Sequence, residues 1–440
     1  MVGAAASLCL LATPVAAEPG CPRPGSLAAS PDPVGASCAE AGILPSEAAA
    51  RGVAQSPELT RLPRPALPPL PATLAGEALL ALPVSGPGAT PPPFELGAGA
   101  QVAESYWSPL LCAVVARIVG DASARPDELV PDVPEGGRVT AHHLYRTAAA
   151  DLPGAAEARA DPYRRLQWAL DELAVEEAWD IGAGAGVRIA VLDSTPDAAH
   201  PDLGRIRVAP LEGGPPPEPA LHGTLVAALI AASAGNGVGI AGLAPAAEVV
   251  AIPVCTPEPG AAADRCRLFD TLRGLDAAWD LRAGAINLSL VGPPNPLLAG
   301  ALRRLDALGV LVVAAAGNEP DAGPRYPAAV GPVLAVSARD RVGRADPRAS
   351  LGPWVDLEAP GVEILSAVPG GGYAFGDGSS LAAAHVTGVV GLLLSTGASP
   401  TEVRAALQGT ARPAAPGSGR PPAIAPICAS FTRLGRPCNP

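Results

Sequence analysis

The chain has 440 residues, of which 48% are hydrophobic and 16% charged, and its formal net charge is −12. It is longer than one average domain and has ample apolar content for a packed core, while the acidic balance excludes nucleic acid and an anionic membrane surface as partners. No lysine occurs, so every basic side chain other than histidine is arginine, a compositional bias to which no function attaches.

In chain order, Met1 to Ala17 reads as a signal peptide, with an apolar stretch through Leu8, Leu10 and Leu11 and small residues at Val15 and Ala17 before Glu18. Its start carries no basic residue, and a buried N-terminal segment is the competing reading. Gly20-Cys21 has a lipoprotein flavour, but Glu18 three residues before the cysteine fits poorly. The expectation is a soluble exported protein, secreted or periplasmic, with no membrane span. From Cys21 to Pro93 proline is dense, as in Leu62-Pro63-Arg64-Pro65 and Pro91-Pro92-Pro93, so much of the segment is expected to be irregular. Glu95 to about Ala160 is more regular, with a candidate strand at Val139 to Tyr145.

Val187 to Leu192 is a short apolar run, β-branched at Val187, Ile189 and Val191, that ends at Asp193. This is the pattern of a buried parallel strand delivering a residue at its carboxyl end, where open α/β sheets hold their active sites. Leu221 to Ser233 is alanine-rich and free of proline, which places His222 at a helix start. Strands are predicted at Glu248–Cys255, Ala285–Leu290, Val310–Ala316 and Val333–Ala338. Helices are predicted near Asp264–Ala283, Leu297–Leu308 and Pro400–Leu407. Leu381 to Leu394 is too short to cross a bilayer and reads as a buried helix that opens beside Ser380. The alternation implies a parallel sheet with helices on both faces. Beyond Arg412 the proline- and glycine-rich tail is expected to loop over the surface.

Of eight cysteines, Cys9 falls in the signal segment. Sequence neighbours pair Cys255 with Cys266, Cys428 with Cys438 and Cys21 with Cys38, leaving Cys112 as the odd one; spacing alone does not fix connectivity, and buried thiols are the alternative.

Three stretches carry the chemistry: Val191-Leu192-Asp193-Ser194, His222-Gly223-Thr224-Leu225-Val226-Ala227 and Gly378-Ser379-Ser380-Leu381-Ala382-Ala383-Ala384-His385-Val386. A serine hydroxyl needs an imidazole to take its proton and a carboxylate to hold that imidazole in the right tautomer. The order Asp, His, Ser is the subtilisin order, distinct from those of α/β-hydrolases and of the chymotrypsin type. Each feature alone is an ordinary structural one; together they define a serine peptidase triad of Asp193, His222 and Ser380. The remaining histidines, His142, His143, His200 and His385, read as surface or packing residues.

From about Asp161 to about Ala411 the chain resembles a subtilisin-like serine peptidase of the thermitase-like branch. Beyond the triad, the resemblance rests on Asp161-Pro162-Tyr163 with Gln167-Trp168 and Ala178-Trp179-Asp180, on His200-Pro201-Asp202-Leu203 and Gly242-Leu243-Ala244-Pro245, and on Ile286-Asn287-Leu288-Ser289-Leu290, Ala316-Gly317-Asn318-Glu319 and Ala359-Pro360-Gly361, all in the family's order. It implies an α/β fold, a subtilisin-like parallel sheet with helices on both faces, preceded by a partly irregular N-terminal pro-region. The domain reading is signal peptide 1–17, proline-rich segment and propeptide 18–155, peptidase domain 156–411 and tail 412–440. A plain linker competes with the propeptide.

The resemblance further implies an endopeptidase acting on protein or peptide substrates, with Asn318 and the Ser380 backbone N–H as oxyanion donors and the propeptide as intramolecular inhibitor. It implies no cofactor for catalysis. Ser289, Leu290 and Val291 form the strand that lines the primary specificity pocket. Val291 stands where the family has glycine and should narrow that pocket. Thr195, Leu225 and Ala384 replace a glycine, a histidine and a proline of the family pattern, and none removes a reacting group. By the same resemblance Asp161, Asp202 and Asn236 match the ligands of a structural calcium ion; a plain Gly235-Asn236-Gly237 turn is the competing reading. The rival function classes are a catalytically inactive peptide-binding pseudoprotease and a hydrolase of small esters.

Overall fold

In the computed structural model, which describes residues 73–84, 86–147, 163–215, 218–258, 263–320 and 323–438, the apolar runs assemble into one parallel sheet. The signal segment, the Cys21–Cys38 pair, Asp161 and the boundary at 155/156 lie outside the described residues.

Four strands come first: β1 (Thr73–Pro83), β2 (Gln101–Ser108), β3 (Ala113–Val119) and β4 (Arg138–Thr147), with the short helix α1 (Pro126–Leu129) before β4. They pair antiparallel in the order β2-β3-β1-β4. The irregular reading of Cys21–Pro93 is therefore corrected at its end. The run Ala78-Leu79-Leu80-Ala81-Leu82 alternates between two apolar surfaces, with Ala78, Leu80 and Leu82 packed on Leu129 and Val130 and with Leu79 and Ala81 packed on the larger core that follows. Neighbouring prolines do not oppose a strand whose two faces are both buried.

The larger unit begins with the short helices α2 (Trp168–Glu172) and α3 (Val175–Trp179). It continues through β5 (Arg188–Asp193), β6 (Ile206–Val208), α4 (Leu221–Ala231), β7 (Glu248–Pro253), β8 (Cys255–Thr256), β9 (Arg265–Arg267), α5 (Leu268–Asp280), β10 (Ala285–Leu288), β11 (Leu290–Val291), α6 (Pro296–Ala307), β12 (Leu311–Ala315), β13 (Leu334–Arg339) and β14 (Leu357–Pro360). The hairpin β15 (Ile364–Val368) and β16 (Gly372–Gly376) precedes α7 (Ser379–Leu394), α8 (Pro400–Thr410) and α9 (Ile427–Arg433). The sheet runs β14-β13-β12-β10-β5-β7-β6 and every pairing in it is parallel.

Alternation along β5 divides the layers. Ile189 and Val191 face α4 and α7, whereas Ala190 and Leu192 face α5 and α6. Helices α4 and α7 are apolar all round and almost wholly buried, as expected for the inner layer of a large α/β unit.

The N-terminal sheet covers α5 and α6. Leu79, Ala81 and Val115 share one core with Leu268, Phe269 and Leu272. At its centre Ser108 Oγ and Leu110 N donate to Asp276 Oδ1 at 3.0 and 3.2 Å, and burial pushes the Asp276 carboxyl up to about 7. His142 is fully buried, with Nδ1 2.8 Å from Glu77 Oε2 and Nε2 accepting from Phe269 N at 3.4 Å, and burial lowers its pKa.

Two sequence expectations shift for tertiary reasons. The helix predicted from Asp264 starts at Leu268, because residues 265–267 become β9 and pair with β4. The tail is not merely a surface loop: α9 buries Ile427 and Phe431 in the main core, Ile427 N donates to Leu173 O at 2.9 Å, and a Cys428–Cys438 disulfide closes it. The second described disulfide joins Cys255 to Cys266 across β8 and β9. Cys112 Sγ lies 3.6 Å from Pro109 O as its donor.

Candidate active site

Asp193 ends β5, between β10 and β7, and is 1% exposed. Its Oδ1 accepts from His222 Nδ1 at 2.8 Å, from Ser194 N at 2.7 Å and from Ser194 Oγ at 3.3 Å. A buried carboxylate fixed by several donors orients the imidazole and holds a proton on Nδ1, leaving Nε2 basic.

His222 lies in the first turn of α4, and the residues after it explain why that turn sits so close to β5. A Cβ on Gly223 would fall 1.9 Å from Ser194 O, so only glycine admits this approach. Gly223 N donates to Ser194 Oγ at 3.1 Å, and Thr224 Oγ1 donates to Ala220 O at 2.6 Å while accepting from Asp197 N at 2.9 Å. Thr195, Leu225 and Ala384, the departures from the family pattern, are all buried packing residues.

Ser380 stands in the first turn of the sixteen-residue α7 and is fully buried. The turn before it depends on Gly378, whose φ of 147° is costly for other residues. Gly378 N donates to Gly361 O at 2.7 Å, which accounts for the Ala359-Pro360-Gly361 motif. Ser380 Oγ donates to Ser289 O at 3.4 Å and Ser289 Oγ donates to Ser380 O at 3.2 Å. Asn287 Nδ2 holds Ser289 Oγ at 2.9 Å and Asn287 Oδ1 takes the Thr387 hydroxyl at 2.9 Å. The motif Ile286 to Leu290 is thus the clamp on the start of α7. Because β5 and β10 are neighbours, Asp193, His222 and Ser380 gather at one carboxyl edge of the sheet.

Asn318 follows β12. Its Oδ1 accepts from Ser379 N at 2.9 Å, and Ser379 Oγ accepts from Gly317 N at 3.0 Å. The amide oxygen is thereby engaged by the backbone ahead of Ser380. Sequence reading missed Ser194, Ser379 and Thr387, which position the triad and Asn318 without reacting; adjacency to Asp193 and Ser380 was the available signal for the first two.

The strand β11, which continues from Ser289, has β4 as its neighbour. On one side β4 pairs antiparallel with β11, Thr147 opposite Leu290 and Arg146 opposite Val291; on the other it pairs with β9. Thr147 N donates to Asp264 O at 3.3 Å and Asp264 N donates to Thr147 Oγ1 at 3.0 Å. Burial raises the pKa of the Asp264 carboxyl.

The other histidines pack. His143 Nδ1 lies 2.8 Å from Asn295 Nδ2, His200 Nε2 lies 3.0 Å from Gly372 O, and His385 Nδ1 lies 2.9 and 3.0 Å from Leu381 O and Pro360 O. Burial lowers the His385 pKa to about 4.

The calcium ligands implied by the resemblance are arranged differently from a cation cage. Asp202 Oδ1 accepts from Asn236 Nδ2 at 2.8 Å, and Oδ2 accepts from Tyr373 Oη at 2.7 Å and Ile240 N at 2.9 Å. Asn236 Oδ1 accepts from Val238 N at 2.8 Å. Calcium requires six to eight oxygens aimed at one point, whereas here Asn236 presents its nitrogen to Asp202 and both Asp202 oxygens have protein donors. As arranged, the described donors do not fit the ion. The melting temperature of the mature protein is therefore expected to agree in EGTA and in millimolar calcium, since an ion bound only to the folded form at a hundredfold excess over Kd would add about 2.7 kcal/mol; a rise of several degrees with calcium would restore the ion.

The fold agrees with comparison to known proteins. The model of the subtilase family matches residues 184–424. Thermitase of Thermoactinomyces vulgaris is 35% identical over 257 residues, covering 57% of this chain and 90% of thermitase. Subtilisin NAT of Bacillus subtilis subsp. natto is 31% identical over 318 residues, covering 66% of this chain and 81% of that protein. A solved structure, the prenylagaramide maturation protease PagA, superposes with a TM-score of 0.54 at 28% identity, covering 60% of this chain and 99% of the other. The chain belongs to the subtilase family and is a subtilisin-like serine endopeptidase of thermitase-like type. No helix among the described residues is long and apolar enough to cross a membrane.

Proposed function

We propose that peptide bonds are cut by acyl transfer with Ser380 as nucleophile, His222 as base and then acid, Asp193 as the orienting carboxylate and Asn318 as an oxyanion donor. His222 takes the hydroxyl proton as Ser380 Oγ bonds to the substrate carbonyl carbon. The oxygen gains negative charge and meets Asn318 Nδ2 and the Ser380 backbone N–H, at the positive end of α7. The C–N bond breaks as His222 returns the proton to the leaving amine, and water, deprotonated by the same imidazole, releases the acyl group. These steps use side chains and water and need no catalytic cofactor.

The observation that carries the reading is the buried 2.8 Å bond from His222 Nδ1 to Asp193 Oδ1, which gives the imidazole its tautomer. No observation favours a peptide binder that does not cut. A fluorophosphonate reacts with an activated serine and not with an idle one, so labelling followed by peptide mapping is expected to find the adduct on Ser380; an unlabelled protein, or an adduct on another serine, would remove the assignment.

The segment ending at Thr147 is read as a propeptide that inhibits by lying in the cleft as a strand. The pairing of β4 with β11 and β9 supports this, because an extended peptide held between two strands is how a sheet edge receives a substrate, and one further step of the register along β11 reaches Ser289, whose carbonyl accepts from Ser380 Oγ. Export through the segment 1–17 belongs to the same proposal, with the Cys255–Cys266 and Cys428–Cys438 disulfides supporting an oxidising destination.

A further inference from the structure

We infer that the Cys255–Cys266 disulfide is a brace that holds β9 ready to receive an extended peptide, so that opening this one bond weakens the grip on long substrates and leaves the chemistry at Ser380 untouched. This rests on the reading of β4 as a stand-in for bound substrate.

Without that bond β9 has few supports. β4 meets it through Leu144 opposite Arg267, Tyr145 opposite Cys266 and Arg146 opposite Arg265, which makes Cys266 the middle residue of the strand that a peptide meets. On its other side β9 has only β8, through Cys255 opposite Cys266 and Thr256 opposite Arg265. β8 is two residues long and Pro257 follows it. A two-stranded ribbon is marginal even when longer, and these two residue pairs are what remains once β4 has left. The chain beyond Arg267 is secured, because Leu268, Phe269 and Leu272 of α5 are buried. The opposite end, toward the catalytic edge, is Asp264, which exchanges bonds with Thr147 but lies outside both β8 and β9.

The disulfide ties this strand to a firmly held part of the main sheet. Cys255 follows Val254, whose N–H donates to Asp193 O at 2.9 Å, and β7 pairs with β5 as far as Pro253 opposite Asp193. One covalent link therefore runs from the strand beside the triad carboxylate to the strand that takes the peptide backbone. The link spans eleven positions of sequence. Cutting it returns the freedom of that excursion to β9, and a peptide then has to order the strand as it binds. Fixing the backbone of a single residue costs about tenfold in affinity. That cost falls on the ground-state and transition-state complexes alike, so it raises KM and spares kcat. A peptide with one residue before the scissile bond escapes it, because pairing with β9 begins at Arg146, two positions before the one that falls opposite Ser289.

The test compares two peptide anilides, one with a single residue and one with five residues before the scissile bond, on mature enzyme whose active concentration is titrated with a fluorophosphonate. The native enzyme is expected to favour the longer peptide. In Cys255→Ala/Cys266→Ala, KM for the longer peptide should rise by about tenfold with kcat retained, while the shorter peptide and the rate of fluorophosphonate labelling stay native. Cys428→Ala/Cys438→Ala, which frees α9 in the tail, should lower the melting temperature and keep the native long:short ratio. Dithiothreitol added to this tail variant gives the same comparison on a chain that has already folded: its two thiols close to a ring disulfide and hand two electrons and two protons to the remaining bond, leaving the thiols of Cys255 and Cys266. The long:short ratio should again fall by about tenfold. An unchanged ratio in the Cys255/Cys266 variant would overturn the brace, as would an equal loss on both peptides or the same shift in the tail variant. A Cys255/Cys266 variant that never folds, together with a native bond that stays closed in dithiothreitol, would make the disulfide a folding staple and overturn it too. A native enzyme indifferent to peptide length would instead remove the reading of β4 as a substrate stand-in, and a native enzyme that fluorophosphonate does not label would remove Ser380 as nucleophile.

Discussion

Ser380→Ala is expected to reduce turnover by about 10⁶-fold, the size of loss that follows removal of a subtilisin triad serine, while leaving the fold in place. The two expectations have separate physical grounds. Without the hydroxyl no acyl-enzyme forms, and because the members of a triad act as a unit, what remains is only the contribution of binding and of the oxyanion donors. The structural demand on the hydroxyl is small: its bond to Ser289 O is long, at 3.4 Å, and losing one such bond costs about 1 kcal/mol, or about 3 °C in melting temperature for a unit of this size. The same variant tests the propeptide reading. The native chain should convert to a species whose first residue lies between positions 148 and 163, and the alanine variant should remain full length. Substantial peptidase activity in the variant would sink the nucleophile assignment. Processing that proceeds normally in a pure, inactive variant would instead show that another protease cuts the chain.

The elements that carry Asp193, His222 and Ser380 were legible because each is a short stretch whose local structure is determined nearby. The short β-branched run before Asp193 reads as a buried strand, Gly223 marks an approach that other residues would block, and Gly378 a backbone conformation they rarely adopt. Of the N-terminal sheet only β4 was legible, as the strand read at Val139 to Tyr145; β1 owes its order to Leu79 and Ala81 packing on helices nearly two hundred residues downstream, and a window of sequence contains no record of that surface. The start of α5 is a case of the same kind: Arg265–Arg267 would extend a helix by pattern but pair with β4 instead, tertiary context overriding a weak local preference. In the tail, α9 has only seven residues and no capping side chain; Ile427 and Phe431 hold it by burial, a signal that proline and glycine around it obscure. The fit of the calcium ligands turns on a chemical detail. Matching residue types at matching positions specify available oxygens, but whether Asn236 offers its oxygen or its nitrogen depends on Val238 N and Asp202, which resemblance alone does not give.

The second large effect concerns Asn318. Asn318→Ala is expected to lower kcat by about 10²–10³-fold with KM little changed, the loss seen when the corresponding donor is removed from subtilisin. The reasoning starts from where the amide is anchored. Ser379 N donates to Asn318 Oδ1 at 2.9 Å, so the orientation of the side chain is set by the protein before substrate arrives, and Nδ2 is aimed at no further cost when charge appears on the carbonyl oxygen. In the ground state that oxygen is a weak acceptor; in the tetrahedral intermediate it is an anion in a site shielded from water, where a fixed donor interacts far more strongly. The difference falls on kcat, because KM reports the ground state. Asn318→Asp provides the control, since it keeps an acceptor for Ser379 N but replaces the donor by a like charge, and its kcat should fall at least as far. A loss carried entirely by KM in the alanine variant would mean that Asn318 holds substrate and does not stabilise the oxyanion. An aspartate variant with near-native kcat would place the donor elsewhere, leaving the Ser380 backbone N–H and the dipole of α7 as the principal stabilisers.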